Sequence, residues 1–314
     1  MKLLLAIDGS YNADLALDSI LASDFPPDSS IHAIAVAEPM HKHLDLAAFG
    51  IGKMAEAAQK SLEADLQVLL DETLAKLRAK FGDSNATAAL MRGNPFDKIL
   101  EAAKSTSCDL LVVGSHGTGD ASGPGVGHNA QSLASKAPCS VKIVTDLSVE
   151  TLEKGTPEKP AVARRFLIAV NESDNSRMVL DLFSSRPWPA DSSFQVISVV
   201  PDIKRANRSR FFQAKDIAET EAKEHTAQTA TAEAMVNAAT TKLKECFPQA
   251  QITGHVLVGS PRNLILQVAQ DWPADVIVMG AHDHKGMFGD IAGSTASAVV
   301  MYARCSVLLV RPKG

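Results

Sequence analysis

Aromatic residues supply only 5% of the chain, which leaves few rings for stacking against bases. Positive charge is not in excess either. Thirty-one Lys and Arg against 36 Asp and Glu give a net charge of −5 and a pI near 6.0, so there is no electrostatic footprint for nucleic acid or an anionic membrane. The four cysteines are too few for a disulfide framework and are expected as buried reduced thiols. No apolar run approaches the ~20 residues of a spanning helix, and the opening run MKLLLAI is broken by Asp8, too early for a signal peptide. The sequence therefore predicts a cytoplasmic protein. A Walker-type G-x-x-x-x-G-K-[ST] is missing, as is a G-x-S-x-G nucleophile elbow, and no paired carboxylates stand near Asp8 at the strand ends.

What the chain does contain is a glycine-rich stretch, Asp109 to Val144, around which the rest is arranged. Asp109 to Val113 is a short apolar run typical of a buried strand, and six glycines follow between Gly114 and Gly127. A helix is predicted over Asn129 to Lys136, stopped by Pro138, and Ser140 to Val144 returns as a strand. Such a turn offers free backbone N–H groups and the positive end of a helix dipole, which together suit a phosphate.

The same text recurs as Asp275 to Val310. Gly93, Gly114, Gly127 and Cys139 match Gly259, Gly280, Gly293 and Cys305 at a constant separation of 166, whereas Asp8 and Val36 match Asn171 and Val199 at 163. The change of three falls between Val199 and Gly259. So long a period marks a duplicated domain rather than a solenoid unit, and 314 residues suit two domains of roughly 150 each. The expected divisions are 1–146, a charged, proline-containing linker at 147–164, and 165–314.

In chain order, Lys2 to Asp8 reads as the first strand, with Ser10 capping a helix to about Leu21. Ile31 to Ala37 is the second strand. A looser segment with His41-Lys42-His43 precedes a long helix to about Phe81, whose Leu62, Leu66, Leu69 and Leu77 are spaced for one buried face. Ala86 to Met91 is the third strand and Pro95 to Lys104 a helix opened by proline. The second half repeats this order, with a long helix in most of Arg210 to Cys246. Alternating strands and helices predict an α/β protein built as two tandem, open, doubly wound, parallel five-stranded sheets of Rossmann-like type. Ligands in such folds sit beyond the carboxyl ends of the strands, where Asp8, Val36, Gly93 and Gly114 all fall.

The early strand ending in D-G-S, the later V-G-S-H-G and the trailing A-P-C-S-V together resemble the universal stress protein family, over both halves. The nucleotide-binding members carry a phosphate loop of G, two residues, G, nine residues, G, then Ser or Thr. The resemblance implies a stress-response protein binding an adenine nucleotide (ATP, ADP or AMP) as a sensor or switch. In the first half it implies a site of Asp8, Gly9, Ser10, Val36, Gly93, Gly114, Ser115, His116, Gly117, Gly127, His128 and Asn129. A second site follows at Asn171, Val199, Gly259, Gly280, Ala281, His282, Gly293, Ser294 and Thr295. It also implies that the two halves pack as an internal pseudo-dimer through their last strands, an exposed edge being open to pairing. A further homodimer and a protein partner are left open.

Both halves depart from the motif. His128 replaces the Ser or Thr hydroxyl in the first, while Asn171 replaces Asp and Asp283 the middle glycine in the second. Losing one hydroxyl hydrogen bond to a phosphate is worth about 1.5 to 3 kcal/mol, whereas a carboxylate ~4 Å from a phosphate repels it by about 4 kcal/mol at an effective dielectric near 20. The first half is therefore expected to hold the better site. With no Lys or Arg in its loop, a triphosphate there would need Mg²⁺. No general base stands out, so catalytic residues are expected to be none and turnover slow. A scaffold of the same fold that has lost its ligand, and a slow ATP hydrolase, stand as alternatives. His41/His43 and His282/His284 are imidazole pairs without a third ligand at metal spacing, and are expected in solvated loops.

Overall fold

A computed structural model describes residues 1–39, 52–118, 125–145, 163–202, 215–281 and 293–312. His41 to His43, His282 to His284 and the expected linker from residue 147 to 162 lie outside them. The chain divides into two units, residues 1–162 with 312–314, and residues 163–311.

In the first unit the elements run β1 (Lys2–Ile7), α1 (Tyr11–Ala22), β2 (Ser30–Ala37), α2 (Gly52–Phe81), β3 (Ala86–Arg92), α3 (Pro95–Thr106), β4 (Leu110–Gly114), α4 (His128–Lys136) and β5 (Ser140–Val144). The strands are parallel in the order β3-β2-β1-β4-β5. Leu3, Leu4 and Leu5 of β1 and Leu110 to Val112 of β4 are almost wholly buried, because this central pair is covered on both faces. Helices α1 and α2 touch one another, as do α3 and α4, which matches right-handed crossovers placing each pair on its own face. The strand order reverses between β1 and β4, and the carboxyl ends of these two strands bracket the candidate site.

Sequence cues account for the helix starts. Ser10 caps α1 by accepting from the Ala13 N–H, and Asn94 caps α3 by accepting from the Asp97 N–H, with Pro95 in the first turn. Helix α2 differs from its expected face. Leu66, Leu70, Thr73 and Leu77 are buried, while Leu62 is exposed and Leu69 half-buried. The stripe rotates along the helix, so that Leu69 reaches the β1–α1 turn instead of the sheet, 3.6 Å from where a Cβ on Gly9 would stand.

The second unit repeats the plan with β6 (Arg165–Ala169), α5 (Asp174–Ser184), β7 (Ser193–Val200), α6 (Lys215–Cys246), β8 (Gln251–Val258), α7 (Pro261–Asp271), β9 (Val276–Gly280), α8 (Ser294–Tyr302) and β10 (Ser306–Val310). Its parallel order is β8-β7-β6-β9-β10. Most of the scarce aromatics gather here. Phe166, Phe183, Phe194, Trp188 and Phe247 form a chain of ring contacts with centroids 4.4 to 5.6 Å apart, so they serve core packing rather than a ligand. Of the cysteines, Cys108 and Cys139 are buried as expected, but Cys246 is exposed at the end of α6 and Cys305 is half-buried. Among the described residues no helix is long and apolar enough to cross a membrane.

Candidate functional site

In the first unit the ends of β1 and β4 are tied together by side chains. The Asp8 carboxylate accepts from the Ser10 N–H at 3.0 Å through Oδ1 and from the Thr118 N–H at 2.8 Å through Oδ2. The Ser10 hydroxyl donates to the His116 carbonyl at 3.1 Å. Ser115, fully buried, donates to the Asn12 Oδ1 at 3.1 Å and lies 3.3 Å from the His116 Nδ1. Its N–H is bonded to Val144 and its carbonyl to the N–H of Gly127. The start of the glycine loop is thus clasped onto the β1–α1 turn, leaving Asp8 fewer lone pairs for a ligand.

Two glycines make this approach feasible. A Cβ on Gly117 would stand 2.6 Å from the Asp8 Oδ2, and one on Gly114 2.6 Å from the Asn12 backbone carbon, both well inside contact distance. Gly127 is the N-cap of α4 and has no side chain to satisfy the first-turn N–H groups. His128 is exposed and Asn129 half-buried at that helix start, while Val36, in β2, is half-buried. Gly93 follows β3, its N–H bonded to the Ala37 carbonyl.

Two cations missed by the loop-centred reading stand near Gly93. The stem of Lys98, on α3, passes 3.1 Å from where a Gly93 Cβ would be, and Nζ pairs with Glu101 at 2.6 Å. Arg92 binds Glu63 of α2 at 2.6 Å, and that hydrogen bond holds the Glu63 carboxyl below its usual range. Their signal in the sequence was only their position, one residue before and five after Gly93.

The second unit is arranged differently. Asn171 turns into its own helix start, its Oδ1 accepting from the Ser173 N–H at 3.2 Å, the Ser173 hydroxyl, and the Ser176 hydroxyl at 2.9 Å. A cavity of about 570 Å³ opens at the carboxyl ends of β6, β7 and β9, a size typical of small-molecule sites. Of the residues expected there, Asn171, Val199, Gly280, Gly293, Ser294 and Thr295 line it. Gly259 and Ala281 do not; their N–H groups bond to the Val200 and Val310 carbonyls. His282 lies outside the described residues.

The cavity walls include groups that motif reading did not find: Glu172 after β6, Ile197 in β7, Gln228, Ala232 and Met235 on α6, Ile265 on α7 and Met279 in β9. At the separation of 166, Ala232 stands where α2 has the buried Leu66, and Gln228 and Met235 match Leu62 and Leu69. A methyl in place of an isobutyl group leaves room beside the strand ends. That exchange was the available signal. The rim also changes, since Arg92 and Lys98 become Val258 and Leu264. No Lys or Arg is found among the described lining residues. Helix α8 begins at the cavity, and its N-cap Gly293 leaves the first-turn N–H groups without a side-chain acceptor.

Chemically, this arrangement offers an apolar slot of Ile197, Val199, Met235, Ile265 and Met279 beside an N–H-rich helix start carrying Ser294 and Thr295 hydroxyls. A flat apolar ring with an anionic tail would suit both parts. Among the described residues no group of three or more His, Cys, Asp or Glu is placed to hold a metal.

Comparison with known proteins agrees with the sequence resemblance. The model of the "Universal stress protein family" matches residues 1–145 and 163–311. A universal stress protein of Thermus aquaticus is 29% identical over 142 residues, 45% of this chain and 96% of that protein. The Universal stress protein A homolog 2 of Coxiella burnetii is 44% identical over 59 residues, 19% of this chain, which therefore spans about two fifths of that relative's length. Among solved structures, a universal stress protein from Archaeoglobus fulgidus superimposes with a TM-score of 0.59 at 15% identity, over 99% of this chain and 96% of the other. A functionally unknown protein from Pseudomonas aeruginosa PAO1 gives 0.55 at 16% identity, over 99% and 92%. With both halves matched by one family model, the chain belongs to the universal stress protein family and carries two copies of its domain in tandem.

Proposed function

We propose that this protein binds an adenine nucleotide as a sensor or switch, and that the cavity of the second unit is its principal receptacle. The observation that carries this is the conjunction, in one cavity of about 570 Å³, of an apolar slot and the open start of α8. This reading places the two copies in the reverse of the order expected from their loops. Asp8 is engaged by the first copy's own backbone, and the second copy holds a cavity at the corresponding strand ends. The replacement of Asp8 by Asn171 weighs less than it did in the sequence, because Asn171 is occupied by Ser173 and Ser176.

Adenine would lie against Val199, Met235 and Ile265, with phosphate oxygens toward the Ser294 and Thr295 N–H and hydroxyl groups. Mg²⁺, if it accompanies a triphosphate, would be held by phosphate oxygens and water, since Glu172 is the one carboxylate among the described lining residues. In-line hydrolysis needs an oriented water and fixed positive charge at the γ-phosphate. Neither is supplied by those residues, so turnover stays below about 1 s⁻¹, the low end of enzyme rates. Partner binding, rather than catalysis, would be the output.

Mass spectrometry of the denatured, purified protein tests the reading. Co-purified AMP, ADP or ATP is the expected result. An empty protein that also shows no calorimetric response to millimolar ATP would leave the scaffold reading in its place.

A further inference from the structure

The amino ends of β4 and β5 carry a feature the nucleotide reading does not use. Cys108 precedes β4 and Cys139 precedes β5, and their sulfurs stand 3.0 Å apart as thiols. Both are buried, at 2% and 1% exposure. A disulfide requires about 2.05 Å between sulfurs, so closure by about 1 Å suffices, and neighbouring parallel strands lie at a spacing that cysteine bridges commonly span. The second copy lacks the pair. At the separation of 166, Ala274 occupies the place of Cys108, opposite Cys305.

From this geometry we propose that the first unit carries an oxidation site, in which a peroxide-class oxidant converts Cys108 and Cys139 to an intradomain disulfide. One sulfur attacks the peroxide O–O bond, becomes a sulfenic acid and releases one water. The other sulfur then displaces the hydroxyl, forming S–S and releasing a second water, so two thiols and one hydrogen peroxide give one disulfide and two waters. The closed loop, residues 108–139, contains β4, the whole glycine loop and α4. Oxidation therefore staples the frame of the first copy's site from the opposite end of the sheet.

The environment sets the rate. The hydrogen bond to Cys139 and burial push the Cys108 thiol well above the ordinary range, so little thiolate is present at neutral pH. Attack requires local opening of the strand ends. The site is accordingly slow under brief exposure and responds to sustained oxidant. Once formed, the crosslink stabilises the first unit by restricting its unfolded chain over a loop of about 30 residues.

The test uses the full chain with Cys246→Ser and Cys305→Ser, leaving only the pair. After hours with hydrogen peroxide, the protein is denatured in an alkylating agent and weighed intact. The expected product is about 2 Da lighter than the reduced protein and takes no alkyl group. Trypsin should release the peptide 105–136 joined to 137–142. Melting of the first unit should rise by about 5–15 °C and return when reductant is added. The Cys108→Ala variant takes the second copy's own residue and is expected to fold. It should show neither the mass loss nor the melting shift. Alkylation of both cysteines after prolonged peroxide, sulfinic acids without a link, or a crosslinked protein that melts lower would each overturn the proposal.

Discussion

The two copies carry out one fold with opposite treatments of the same strand end. At the end of β1, Asp8 reaches across to the Thr118 N–H, at the start of the glycine loop. At the end of β6, Asn171 folds back onto Ser173 and Ser176, and the space beyond is open. Glycines are commonly taken as room for a phosphate. In the first copy Gly117 instead makes room for Asp8, whose Oδ2 would be 2.6 Å from any added Cβ. Intact motif residues therefore do not by themselves mark a carboxylate left free for a ligand. The opposing helix matters as much, since Ala232 in the cavity wall of the second copy has the larger, buried Leu66 as its counterpart in the first.

The sharpest break of this comparison is Gly117→Asp, which places the second copy's residue into the clasp. Contact at 2.6 Å with Asp8 and two adjoining carboxylates should destabilise the first unit by about 2–4 kcal/mol, read from its urea midpoint. An unchanged midpoint would mean that the clasp opens freely. Next, Ser294→Ala removes one hydroxyl from the start of α8. ATP affinity should fall by about 10- to 100-fold while adenosine binding holds, because a hydrogen bond to a charged phosphate is worth about 1.5–3 kcal/mol. Equal loss for both ligands would point to general damage of the pocket rather than phosphate contact. The smallest effect is expected of Asp8→Asn. One acceptor is kept, so stability should drop by only about 0.5–1.5 kcal/mol, with faster hydrogen exchange at the Thr118 amide. Protection of that amide as strong as in the parent would show that Asp8 does not hold the loop.

Much of the fold could be read from the chain because its signals are local. The apolar run of Lys2–Ile7, the Ser10 and Asn94 caps and Pro95 each set an element independently, and the 166-residue repeat supplied the domain plan. The candidate site was legible only where a motif residue lies on a strand end or loop. Its walls come from α2 and α6, where what counts is helix rotation and side-chain volume. Spacing placed Leu62 and Leu69 on a common buried face with Leu66 and Leu77, yet Leu62 is exposed and Leu69 leans over Gly9. Room at Ala232 is visible only once α2 and α6 are laid in register. Lys98 was hidden for a similar reason, since its stem returns along α3 to Gly93 instead of projecting from the loop.

The central claim is that the second copy's cavity, and not the first copy's loop, receives the nucleotide. Calorimetric titration with ATP and Mg²⁺ of the parent, Ala232→Leu and Leu66→Ala proteins tests it most directly. Ala232→Leu imports the first copy's residue into the cavity, and overpacking of about 1–3 kcal/mol in the bound state should weaken binding by about 5- to 150-fold. Leu66→Ala, which alters only the first copy, should leave affinity within about twofold, allowing that the cavity it makes lowers stability. Retained affinity in Ala232→Leu together with its loss in Leu66→Ala would contradict the account and return the site to the first copy.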